Sequence, residues 1–244
     1  MVPMERTSKE YLKGFASEGF EEPTHRGNHH ERCSRSRPSK ITLYFVYQGY
    51  LTKNMDSPVI VTNTEVDIEK YPTAKKLVTT CREFFSEVDN LTPGKALEAR
   101  LNREYGPGNK LYENMCKYVR EGLKEGWMAN VELDGPKYRR SKVCLPSPEN
   151  RFFSITTVYM DSDVEYSGQY HVHPYGEINC VVQIDDSAEL KGMQGWQGAG
   201  WTSPGPGTHH YPQVRNGALV ALFFLPAGRI SYDMKPGQPQ PLSI

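Results

Sequence analysis

Residues 168–185 read GQYHVHPYGEINCVVQID, and from Glu177 onward the string alternates. Ile178, Cys180, Val182 and Ile184 form one apolar face, while Glu177, Asn179, Val181 and Gln183 form the other. A period of two marks a β-strand, and a mixed polar face opposite a core face is expected to line a pocket. Just upstream, His171 and His173 stand two apart, so on extended backbone both imidazoles point to one side. Pro174-Tyr175-Gly176 then makes a turn, and Glu177 opens the next strand facing the same cavity.

A second string, GWTSPGPGTHHYPQV at 200–214, carries the remaining candidate ligand. Its Pro-Gly-Pro-Gly forces a tight turn, and His210 follows Gly207 by three residues. His209 and His210 are neighbours, and neighbours on a strand point to opposite faces, so only one of them reaches the cavity. His210 is taken as the candidate. Imidazoles and a carboxylate meeting in one pocket suit a divalent ion such as Fe, Mn, Zn, Ni or Co.

Around these strings the chain changes character twice. NVELDG, YRRSKVCL, RFFSITTVYMD, GALVALFFLP and GRISYD are further short apolar runs punctuated by Gly, Pro and Asp. They predict about eight short antiparallel strands in a sandwich or barrel over 128–244. Before them, residues 57–127 are expected to form a helical layer. Ala74, Leu77, Val78, Cys81, Phe84, Phe85 and Val88 recur at helical spacing, Thr92-Pro93 reads as an N-cap and first turn, and Gly-Pro-Gly at 106–108 ends the second helix. A third helix carries Leu111, Met115, Tyr118, Val119 and Leu123, with Gly122 and Gly126 at a fraying end. Residues 1–56, mixed in charge and rich in Gly, Ser and Pro, are expected to be a disordered tail. The class is α+β, with N-terminal helices covering an edge or face of the β domain.

Composition excludes several functions. The chain has 244 residues, long enough for a real core, and 29 basic against 29 acidic side chains. No global field draws it to nucleic acid or an anionic membrane. The longest apolar run, Ile41 to Leu51, falls short of the roughly 20 residues of a membrane span, and the N-terminus lacks a signal-peptide pattern. A cytoplasmic protein is expected. Five cysteines without a CxxC pair argue for reduced, mostly buried thiols.

Taken together, G-x-x-H-x-H-x-x-x-E at 168–177 and G-x-x-x-P-x-P-G-x-x-H at 200–210 resemble the two signature motifs of the cupin superfamily. That resemblance implies a double-stranded β-helix barrel, a metal held by His171, His173, Glu177 and His210, and a homodimer. The second motif departs from the pattern by a proline-glycine insertion and by Val214 where asparagine is usual. More closely, the region from Tyr138 to Asp233, with HPYGE and PGPGTHHYP, and the helices from Glu65, resemble the 4-hydroxylaminobenzoate lyase family. The resemblance implies conversion of 4-hydroxylaminobenzoate to 3,4-dihydroxybenzoate with release of ammonia. Two other readings of the same site are a metal-dependent dioxygenase or isomerase of a phenolic or polyketide-like compound, and a non-catalytic binding cupin.

Further candidates follow from the substrate's chemistry. Arg139 and Arg140 alternate on a strand, so one of them faces the pocket; Arg140 is the candidate to grip a carboxylate bidentately. Trp196 or, preferentially, Trp201 is expected to stack on an aromatic ring. Tyr175 is a candidate proton donor, and Glu177 can carry protons only when it is not a ligand.

Overall fold

Three amphipathic helices begin the described part of the chain, residues 65–241 of a computed structural model. The expected tail over 1–56 lies outside the described residues. Helix α1, Pro72–Glu87, opens on a proline, whose missing N–H costs nothing in a first turn. Its buried stripe is the one the spacing predicts: Ala74, Leu77, Val78, Cys81, Phe84 and Phe85.

Helix α2, Lys95–Glu104, starts two residues later than the Thr92-Pro93 signal suggests. The Thr92 N–H is taken by Asn90 Oδ1 at 2.9 Å, and the Gly94 N–H donates to Ser203 Oγ at 3.1 Å. A tertiary contact to the β region therefore holds the helix entrance, and no side-chain cap is used. Helix α3, Lys110–Glu125, has a side-chain cap, Asn109 accepting from the Leu111 N–H at 2.8 Å, and stops at Gly126 in left-handed backbone (φ 76°). Gly122 is not a fraying signal. It is buried, and a Cβ there would meet Trp127 Cζ2 at 2.4 Å.

Twelve short strands follow: β1 Val131–Glu132, β2 Tyr138–Cys144, β3 Phe153–Ser162, β4 Tyr166–Ser167, β5 His171–Val172, β6 Ile178–Gln183, β7 Glu189–Gly192, β8 Gly195–Gln197, β9 Gly200–Thr202, β10 His209–His210, β11 Gln213–Arg215 and β12 Gly217–Pro226. They form three antiparallel sheets: β1-β2-β3-β12-β6-β9, β4-β11-β7-β8, and the pair β10-β5. Strands β7, β8 and β9 lie in a stretch where the sequence reading places no strand. The expected strand at GRISYD is reduced to a single bridge, Ser231 with Val172.

The six-stranded sheet has two unlike faces. Ile155, Ile178, Cys180, Val182, Val220, Leu222 and Phe224 point to the helices and share one core with Leu77, Phe84, Phe85, Leu101 and Met115. Tyr138, Met160, Val181, Leu219 and Ala221 point the other way and pack with Leu190 and Val214 of the four-stranded sheet. Cys81, Cys116 and Cys180 are buried and Cys144 half-buried, all as free thiols. Among the described residues no helix is long and apolar enough to cross a membrane.

The contact between Gly122 and Trp127 gives a direct test of the helical layer. The indole is anchored by its N–H to Thr73 Oγ1 at 3.0 Å, so it cannot simply swing away. Gly122→Ala should lower thermal stability by about 1–3 kcal/mol through overpacking, although helix propensity alone would favour alanine by about 1 kcal/mol. A melting temperature equal to or above the parent's would show that the ring gives way at no cost.

Candidate metal centre

The pair β5–β10 sets His171 directly opposite His210. His173 follows β5 and is fixed by its backbone: its N–H donates to Thr208 O at 2.9 Å, and its carbonyl accepts from Gly207 at 2.7 Å and Gly176 at 3.2 Å. Both rings of the HxH string are oriented through Nδ1, His171 donating to Gln169 O and His173 to Thr208 O, each at 2.9 Å. A carbonyl only accepts, so Nδ1 carries the proton and Nε2 presents a lone pair in each ring.

The two Nε2 atoms lie 3.0 Å apart, and the His210 ring centroid is 5.1 Å from each of the other two. One ligand atom from each of the three histidines falls within 4.8 Å of the others. Burial, together with the neighbouring imidazoles, pushes His173 well below its usual range and His210 down to about 3; burial alone lowers His171. Neutral rings with converging lone pairs repel unless a cation lies between them. Two nitrogens about 2.1 Å from a common ion are about 3.0 Å apart at a near-right angle, so the donor set fits a divalent metal.

Glu177 borders this cluster. Its Oε1 is 3.8 Å from His173 Nε2 and accepts from Asn179 Nδ2 at 2.8 Å; the same amide also donates to Thr202 Oγ1 at 2.9 Å. Burial pushes the carboxyl up to about 7, and the Asn179 bond partly opposes that. His209 faces away. Its ring meets the Tyr170 hydroxyl, and its backbone N–H and C=O bond the side chain of Gln240 at 3.1 and 2.6 Å. The structure thus brings His210, not His209, into the cluster.

The inner face of the six-stranded sheet borders the centre and keeps slightly more accessible surface than the helix-facing side. Thr156, His171, Glu177, Asn179, Ala221 and Phe223 each keep 5–8% of their surface accessible, whereas Ile155, Thr157, Cys180, Leu222 and Phe224 on the opposite face keep 0%. Arg140 shares the face of Tyr138 and is engaged by a neighbour, while Arg139 lies over the Tyr159 ring at 4.3 Å.

Two expectations for the site are corrected. Trp201 pairs with Cys180, on the helix-facing side of the sheet, and stacks on Phe84 at 4.8 Å with its N–H on Tyr105 O at 2.8 Å. It is a core filler on the side of the sheet away from the histidines. Trp196 is likewise occupied, under Arg215 and Lys191. Tyr175 is 53% exposed in its turn and makes no side-chain hydrogen bond among the described residues, so nothing ties it to the histidines as a proton donor.

One residue the sequence reading passes over is Glu98. It sits beside the Leu97/Leu101 stripe of α2, and its Oε2 accepts the Ser203 N–H at 2.7 Å. Ser203 Oγ in turn donates to Glu177 O at 3.2 Å, and the Glu177 N–H donates to Pro204 O at 2.9 Å. The helix thereby fixes the loop that frames Glu177. A charged residue inside an apolar helix face was the available signal.

With the geometry in hand, the relatives can be placed. The family model described as PnbB, 4-hydroxylaminobenzoate lyase, matches residues 79–232. A 4-hydroxylaminobenzoate lyase from Nocardioides sp. (strain LMS-CY) is 54% identical over 164 residues, covering 67% of this chain and 97% of the relative. Another from Pseudomonas putida is 49% identical over 168 residues, covering 66% and 96%. Among solved structures, the DMSP lyase DddQ from Ruegeria pomeroyi DSS-3 covers 69% of this chain and 100% of its own, with 16% identity and a TM-score of 0.35, a likeness too slight to bear argument.

Glu98 supplies a pH-dependent test. Burial raises its carboxyl above the ordinary 4.5, with the Ser203 N–H as the main opposing influence. The folded state then holds the proton more tightly than the unfolded state, so stability falls as pH rises from about 4.5 through the folded value. Glu98→Gln, which keeps an acceptor for Ser203, should remove that slope: parent and variant diverge in the variant's favour as pH increases across the window. Parallel melting curves at every pH would show that Glu98 is not held as a buried carboxyl.

Proposed function

The chain belongs to the 4-hydroxylaminobenzoate lyase family, and from that premise we propose that its histidine centre converts 4-hydroxylaminobenzoate and one water to 3,4-dihydroxybenzoate and ammonia. The observation that carries the reading is the convergence of His171, His173 and His210, all within the span matched by the family. The reaction breaks the N–O and C–N bonds and puts oxygen on two ring carbons. Nitrogen is reduced to the extent that the ring is oxidised, so no external oxidant enters.

His171, His173 and His210 would hold a divalent ion, with Glu177 as the fourth ligand. Such an ion supplies Lewis acidity toward an oxygen of the substrate or of water. The chain's own groups do the rest. The Nδ1 bonds to Gln169 O and Thr208 O keep both imidazoles of the HxH string in the donor tautomer. Glu177, whose carboxyl is pushed up to about 7, holds or releases a proton at Oε1 near neutral pH when it is free of the metal. Asn179 keeps that oxygen in place. The finer fold reading, a cupin-type double-stranded β-helix, is part of this proposal and is supported by the two-motif pattern and by the β5–β10 pairing that joins the motifs. A homodimeric, cytoplasmic enzyme acting on a small aromatic is the form we expect.

Protein purified without chelator should carry close to one equivalent of a transition metal by elemental analysis. With 4-hydroxylaminobenzoate it should release ammonia and 3,4-dihydroxybenzoate in equal amounts without consuming O₂. Oxygen uptake would instead favour a dioxygenase on the same ligands. His173→Ala should lose both metal and turnover, Glu177→Gln should lose most turnover, and His209→Ala should retain its metal. If the His173 variant binds metal and reacts like the parent, the cluster is structural and the mechanism fails.

A further inference from the structure

We propose that Phe223 and Lys142 form the subsite for the benzoate half of the substrate, Phe223 carrying the ring and Lys142 the carboxylate. The inference rests on the lyase reading and names the residues that select its substrate. Strand register puts both in one row across the inner face: Lys142 opposite Thr156, Thr156 opposite Phe223, Phe223 opposite Asn179. Asn179 is the residue that holds the Glu177 carboxylate. The row therefore runs from the metal centre toward an edge of the inner face.

Phe223 behaves unlike any other phenylalanine in this sheet. Its neighbour Phe224 is at 0% exposure and packs against Phe84, Phe85 and Trp201. Phe223 keeps 8% exposure, belongs to neither core cluster, and has no ring partner among the described residues. A ring on the inner face that keeps a little accessible surface, has no aromatic partner among the described residues and lies one cross-strand step from Asn179 is a platform for a flat ring.

Lys142 lies on the inner face by alternation. Tyr138, two pairs along β2, packs in the inner cluster, whereas Ser141 and Val143 point to the helices, Ser141 Oγ donating to Trp127 O at 3.1 Å. The lysine is half-buried, and its ammonium makes no side-chain hydrogen bond or ion pair among the described residues. From Lys142 to Asn179 is three strand spacings, about 14 Å, a gap that a lysine stem and a para-substituted benzoate fill end to end. The para arrangement matters: it sends the carboxylate to Lys142 while the nitrogen points at the histidines. Arg140, the sequence candidate for this task, is already engaged and lies one row away, with Val158, Ala221 and Val181.

The test compares two ligands that differ only in the carboxylate. Binding of 3,4-dihydroxybenzoate and of catechol is measured by calorimetry on the full chain, for the parent, Lys142→Met, Lys142→Arg, Arg140→Met and Phe223→Leu. Lys142→Met should weaken 3,4-dihydroxybenzoate by on the order of ten- to a hundredfold, the loss of one charge-assisted hydrogen bond, and leave catechol unchanged. Lys142→Arg should recover most of that loss, and Phe223→Leu should weaken both ligands. Equal effects of Lys142→Met on the two ligands, no effect on either, a parent that binds neither, or discrimination lost in Arg140→Met instead would overturn the assignment. Ammonia release by the parent is assayed separately. A parent that binds the carboxylate through Lys142 but releases no ammonia sinks the lyase reading alone, whereas ammonia release with an indifferent Lys142→Met sinks the subsite alone.

Discussion

The donation of two ring protons into backbone carbonyls, His171 Nδ1–H to Gln169 O and His173 Nδ1–H to Thr208 O, is the constraint on which the rest of the site depends. Without it, either ring can rotate or change tautomer, and the two Nε2 lone pairs no longer meet. The second of these carbonyls is that of Thr208, directly after the Pro-Gly-Pro-Gly turn, so one hydrogen bond joins the two histidine-bearing segments. The main chain repeats the connection through His173 and Gly207. Gly176 closes the arrangement: its backbone is left-handed (φ 83°), and a Cβ would meet Pro93 Cβ at 2.4 Å, so the turn before Glu177 lies directly against the entrance to α2.

The six-stranded sheet turns one sequence alternation into two environments. On β6 and β12 the residues Cys180, Val182, Leu222 and Phe224 pack on the helices, while Asn179, Ala221 and Phe223 lie on the inner face. Because the side-chain period is two, a slip of one residue would exchange every member of the two sets. Burying the outer set against α1 and α3 therefore fixes the register that brings Glu177 and Asn179 to the histidines. Stability and chemistry share the same strands without sharing side chains, which is why a large aromatic such as Trp201 can be wholly structural a single residue from Thr202, which bonds Asn179.

The sequence was legible wherever a short-range rule sufficed. The helix stripes, the HxH string and the turn at 174–176 follow from period and spacing, while the choice of His210 over His209 needs the motif resemblance as well. It was opaque where a partner distant in the chain decided the outcome. Trp201 alternates correctly with Thr202, but only the pairing with Cys180 says which side it takes. Gly122 reads as a helix end until Trp127 folds back on it. The start of α2 at Gly94 depends on Ser203, and the role of Glu98 depends on the same residue, 105 positions away. Strands β7 to β9 are short and glycine-rich, and their pairing is set by neighbours more than by propensity.

The electrostatic shifts at the centre share one origin. Burial pushes Glu177 up and His171, His173 and His210 down, and in each case it is the charged form that is disfavoured. The site thus combines three neutral donors with a carboxyl that resists ionising, and among the described residues no lysine or arginine forms an ion pair with Glu177, which has the neutral His173 at 3.8 Å. A divalent cation reverses the cost for the carboxylate and leaves the imidazoles as they are, since a neutral ring is already the form that binds. A small divalent ion meets all three lone pairs from one point, which is the chemistry that the three converging histidine donors fit.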